Sequence, residues 1–267
     1  MELDKIVLYI ERNIKDVNEI GLLYGKMGIA IFFFHYARYS EDKRYEDIAM
    51  ELVDTVLKNL TLQIPANYAY GLAGIGTGIE YLIQNEFIEE DGNDILTDID
   101  SIVFKELIYQ EKIDFSLEKG LCGLGKYFLY RIHKRKSWQD ELITLKNRQN
   151  IIHLLDRLDS EKKITSLSQI EILYLLMQLY EINIFNMKVE KLIRFYLHED
   201  VSDIRELISR INKIKHKKLD ILKTNFSSIK FSTEIANTLN IYECIGRGFF
   251  SLTEKDVNNA SWCDLII

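Results

Sequence analysis

The sequence predicts an all-α fold, and three observations carry that prediction. The chain has 267 residues but one proline, Pro65, and 13 glycines, so residues that break helices are scarce. Apolar residues recur at i, i+3, i+4 and i+7 over long stretches, the spacing of a helix with one buried stripe. A glycine-rich motif also returns at a fixed interval. "GLCGLGKYFLY" stands at 120–130, "GLAGIGTGIEY" at 71–81, and more loosely "LLYGKMGIAIF" at 22–32.

The elements follow in order. "LDKIVLYIERNIKDV" (3–17) reads as an amphipathic helix. "GKMGIAIFFFHYARY" (25–39) opens on glycine and is apolar over most of its surface, as a helix buried on more than one side must be. "YEDIAMELVDTVLKNL" (45–60) puts Tyr45, Ile48, Ala49, Leu52, Val53, Val56, Leu57 and Leu60 on one stripe. "GIGTGIEYLIQN" (74–85) is again apolar and glycine-started. "ILTDIDSIVFKELIY" (95–109) is amphipathic, "GLGKYFLYRIH" (123–133) more buried, and "ELITLKNRQNIIHLLDRL" (141–158) amphipathic.

An amphipathic helix thus alternates with a more buried one, about one pair per 49 residues, with Gly25, Gly74 and Gly123 in equivalent places. Repeats of this length indicate stacked hairpin units. The pattern then weakens. "SLSQIEILYLLMQLYEI" (166–182) sits where a fourth buried helix is expected, opening on the capping-box spacing Ser166…Gln169. Two or three further helices are expected in 187–240. A last glycine turn, Gly246 and Gly248, lies in "YECIGRGFFSL" (242–252). No linker or low-complexity stretch divides the chain, so one domain, 1–267, is expected.

The net charge of −7 lacks the basic face that nucleic-acid binding requires, and the basic stretch "KIKHKKLDILK" (213–223) reads as a solvated helix end. The longest apolar run, "GIAIFFF" (28–34), is too short to span a membrane. Cys122, Cys244 and Cys263 are scattered and odd in number, and the acidic start "MELDKIVLYIERNI" is unlike a signal peptide. The expectation is a cytoplasmic protein with reduced thiols.

Glycine turns that open helices can cradle phosphate. The dinucleotide fingerprint, however, follows a strand, and a P-loop continues into Lys-Ser/Thr. Here helices precede the turns and no such dipeptide follows. The favoured reading is packing: glycine permits unusual φ and close backbone approach, so that several helices crowd together. Gly25, Gly28, Gly74, Gly76, Gly123, Gly125, Gly246 and Gly248 are the residues expected to form these turns.

"GLLYGKMGIAIFFF", "YGLAGIGTGIEYLI" and "GLCGLGKYFLYRI" together resemble the glycine-rich repeats of lanthionine synthetase C-like proteins, the lantibiotic cyclases. The resemblance is best over 20–135, weak over 136–240 and partial at 242–252. It implies an α/α toroid of helical hairpins, with an inner ring entered through the glycine turns. It also implies an association with ribosomal-peptide modification. At about 49 residues per hairpin the chain supplies five or six, against about seven in the family's full-length cyclases. The implied toroid is therefore small, open, or closed by an irregular second half.

The family's cyclases use zinc to activate a peptide cysteine for thioether formation, with ligands from Trp-Cys-x-Gly and Cys-His-Gly motifs. Two thiolates and one imidazole leave a fourth position for the substrate thiol. This chain departs there. Trp262-Cys263 is followed by Asp264 and Leu265, and no Cys-His dipeptide occurs. The reading therefore expects no cofactor and assigns no metal ligand and no catalytic residue. A zinc site on Cys244 and Cys263 would need an improvised third ligand. Whether the chain is an enzyme stays open.

In a toroid the turns gather at one end. Tyr24, Tyr70, Tyr81, Tyr127 and Tyr130 lie at or near them, and Tyr24, Tyr70 and Tyr127 would line a pocket for an extended peptide. Lys26 and Arg247, which follow aligned glycines, would meet an acidic group on it. A surface-charge reading of both remains beside this one. Other α/α toroids are glycosidases with paired carboxylates. Glu80 and Glu243 are the candidates, but neither has an assignable partner, and Glu80 reads as an exposed or capped helix residue. Asp98 and Asp100 read as suiting a helix dipole. His35 reads as a core or rim histidine. The function expected is peptide binding or an accessory role. A cyclase with rebuilt zinc ligands, or a glycosidase-like toroid, is the alternative.

Overall fold

The computed structural model describes residues 2–89, 93–111, 113–132, 138–160, 166–198 and 203–213, with 245, 246, 249, 251, 252 and 265. All regular structure among them is helical. The helices are α1 (Glu2–Asn13), α2 (Lys26–Ser40), α3 (Lys43–Asn59), α4 (Leu72–Gln84), α5 (Asn93–Tyr109), α6 (Leu121–Ile132), α7 (Trp138–Ser160), α8 (Ser166–Glu181) and α9 (Asn186–Leu197). A 3-10 turn, Ile14–Asp16, extends α1, and residues 204–213 are helical. None is long and apolar enough to cross a membrane.

The chain packs as two compact units, 1–61 with 217–267, and 62–216. In the first unit, α2 and α3 form a hairpin closed by Glu41 and Asp42. Asp42 caps α3 by accepting a hydrogen bond from the Arg44 N–H at 3.0 Å. α2 is buried over most of its surface, as its composition predicts, and α3 buries the stripe Tyr45, Ala49, Leu52, Val53 and Val56. Aromatic rings join the two: Phe33 stacks on Tyr45 at 5.9 Å and Tyr36 meets it edge-on at 4.6 Å. The Tyr36 hydroxyl donates to Asp4 at 3.3 Å, tying α1 to α2. His35 is a core residue, its ring 6.0 Å from Phe249.

The second unit has two layers. α4, α6 and α8 pack side by side in one, and α5, α7 and α9 follow one another in the other, with α6 on α7 and α8 on α9 the closest pairs across. Arg157 of α7 caps α5 by donating to the carbonyls of Ile108 (3.0 Å) and Gln110 (2.8 Å). Tyr196 of α9 donates to Leu158 of α7 at 2.8 Å. Gln169 donates through its side-chain nitrogen to the Tyr196 carbonyl, so it serves the α8–α9 contact as well as any cap.

The repeat is present, but its register differs from the expected one. Gly25 caps α2, whereas Gly74 and Gly123 are third residues of α4 and α6, and Gly76 and Gly125 are fifth residues. The glycines at the turns are Gly71 and Gly120. Gly28, Gly74 and Gly123 are the true equivalents. The 49-residue spacing pairs a cap with two helix interiors because the first repeat is three residues shorter. No described glycine has positive φ, so conformational freedom is not what these positions require.

Candidate functional site

The turns before α2, α4 and α6 share one construction. The first helical N–H of each donates to a carbonyl seven residues upstream: Lys26 to Glu19 (2.9 Å), Leu72 to Pro65 (2.9 Å) and Leu121 to Asp114 (2.8 Å). The chain thus folds back over the helix start, and glycine makes room for it. A Cβ at Gly25 would lie 2.3 Å from Gly21 N, at Gly71 2.0 Å from Pro65 O, and at Gly120 2.2 Å from Asp114 O. These neighbours are backbone atoms that cannot rotate away. The same bonds occupy the first N–H of each helix, one of the donors that an anion would take at a helix start.

In the second unit these turns meet. Tyr68 and Ala69 donate to the Glu118 carbonyl at 3.1 and 2.9 Å, joining the turn before α4 to the turn before α6. Leu117 N–H donates to a Glu171 carboxylate oxygen at 3.0 Å, bringing in α8. A Cβ at Gly123 would lie 2.5 Å from Cβ of Tyr68. The starts of α4 and α6 are therefore neighbours at one end of this unit. Tyr70 stands in the first turn, 38% exposed, its N–H fixed by Asn67 Oδ1 at 2.9 Å. Lys119 is exposed in the second.

The expected peptide-lining residues do not all stand there. Tyr24 and Lys26 are half-buried in the turn and first residue of α2, in the first unit. Tyr127 is seven residues into α6 and fully buried, so it is removed from the set that could touch a peptide. Tyr81 and Tyr130 lie deeper along their helices and meet each other, ring centres 6.5 Å apart. Gly246 is helical and half-buried. Arg247, Gly248, Glu243, Cys244, Trp262 and Cys263 lie outside the described residues.

A second constellation went unread in the sequence. Arg131 of α6 is fully buried between two buried carboxylates, Glu80 of α4 and Asp100 of α5. It donates side-on to Asp100, from Nε at 2.9 Å and from Nη2 at 3.0 Å, and from Nη1 to Glu80. The Tyr127 hydroxyl donates to Asp100 at 2.6 Å and lies 3.2 Å from the Leu96 carbonyl. Gln84 closes the α4 side, donating to the Tyr130 carbonyl at 2.8 Å. Burial alone would lower the Arg131 pKa. The Asp100 hydrogen bond and the nearby Tyr127, Asp100 and Glu80 outweigh it, so the guanidinium stays charged. Burial, then the Asp100 charge, pushes the Tyr127 hydroxyl well above its ordinary value.

Glu80 is thus corrected: it is neither exposed nor a cap, and it has a partner. Asp100 is corrected too, for it lies on the buried stripe of α5 with Leu96, Ile99, Val103 and Leu107. A signal was present. Glu80 in "GIGTGIEYLI" is a lone charge in an apolar helix, Arg131 in "KYFLYRI" is one of two charges in another, and Asp100 holds an i+4 place on an apolar stripe. Lone charges on buried faces must find one another. As chemistry, both carboxylates face a permanent cation in a closed interior, which suits cohesion rather than proton transfer to a sugar.

Cys122 is buried, and burial with Glu171 nearby raises its thiol pKa well above the ordinary value although Lys126 opposes the rise. Such a thiol stays protonated and is a poor nucleophile or ligand. No group of three or more His, Cys, Asp or Glu side chains among the described residues could hold a metal ion. No family model matches this chain, and no curated protein sequence matches it.

Proposed function

We propose that this chain is a lanthionine synthetase C-like protein, its hairpins arranged as an α/α toroid, that holds an extended ribosomal peptide at its glycine-turn end. It acts in the cytoplasm as a binding or accessory component of peptide modification, not as the cyclase, and uses no metal. The observation that carries this reading is the thrice-repeated turn, each closed by a hydrogen bond to a carbonyl seven residues upstream. In the second unit two of these turns are joined to each other, and Tyr70 stands there on a fixed backbone. Rigid aromatics at low entropic cost are effective peptide anchors. The link to ribosomal peptides rests on the resemblance of the motifs at 20–135.

The test is a fluorescence-anisotropy titration of the full chain with labelled peptides rich in Cys, Ser and Thr, with and without acidic residues. Saturable binding is expected, weakened about five- to tenfold by Tyr70→Ala, the scale of an interfacial aromatic anchor. Binding that Tyr70→Ala leaves unchanged would contradict the reading. Metal analysis separates the catalytic alternative. About one zinc per chain, lost in Cys244→Ala or Cys263→Ala, would favour a cyclase with rebuilt ligands.

A further inference from the structure

We draw no further inference here: the strongest candidate, the exposed apolar stripe of Leu142, Leu145 and Ile152 along α7, carries none because nothing in the structure shows what covers it.

Discussion

Arg131 shows how one buried side chain can hold three helices. Its guanidinium satisfies carboxylates from α4 and α5 while its own backbone belongs to α6. Removing one partner of a buried ionic group leaves the others uncompensated and costs about 3–5 kcal/mol. Arg131→Met should therefore destabilise the chain by about that much in urea unfolding, and adding Glu80→Leu with Asp100→Leu should restore much of the loss. A loss below about 1 kcal/mol, typical of an exposed pair, would contradict the burial described. Tyr127→Phe removes one donor from Asp100 and should cost about 1–2 kcal/mol. The pH dependence has a definite sign. The folded-state pKa of Tyr127 is raised, so its contribution is fully present below the ordinary tyrosine value of 10.0 and is lost as pH rises from there towards the folded value. Unfolding free energies measured across that window should fall with pH, and fall less in Tyr127→Phe.

At the scale of elements, the glycine turns test close approach. Gly71 and Gly120 stand just before the first residues of α4 and α6, where an added Cβ would sit 2.0 and 2.2 Å from backbone carbonyl oxygens. Gly71→Ala and Gly120→Ala should each lower the melting temperature, by the equivalent of about 1–3 kcal/mol for overpacking against atoms that cannot yield. The opposite sign is expected at the end of α2. Glu41 caps that helix in the left-handed region, φ 56° and ψ 25°. Glu41→Gly should raise stability by about 0.5–1 kcal/mol. A gain from Gly71→Ala would show that the turn is looser than described. The helices themselves were legible because their apolar periods are long and proline is almost absent: all of the segments read from 3 to 182 are helical, with ends shifted by a few residues. The turn register was not legible. Gly-x-x-Gly offers two glycines per turn, and nothing local says which one caps.

For the whole molecule, the sequence conveyed an all-helical hairpin repeat, and the layering of α4, α6 and α8 against α5, α7 and α9 gives that repeat its physical form in the second unit. The candidate site was less legible. Tyr70 stands in the turn before α4, whereas Tyr127, though near Gly125 in sequence, is carried into the interior by more than one and a half helical turns of α6. The partnership of Glu80, Asp100 and Arg131 was hidden for a different reason. It spans 51 residues and depends on which helix faces pack, which a single sequence does not state. The central claim is that a peptide rests on the joined turns before α4 and α6. Hydrogen–deuterium exchange of the full chain, with and without the tightest peptide of the anisotropy panel, tests it most directly. The account predicts added protection concentrated in residues 65–71 and 114–120. Protection confined to other helices, with those two turns unchanged, would contradict it.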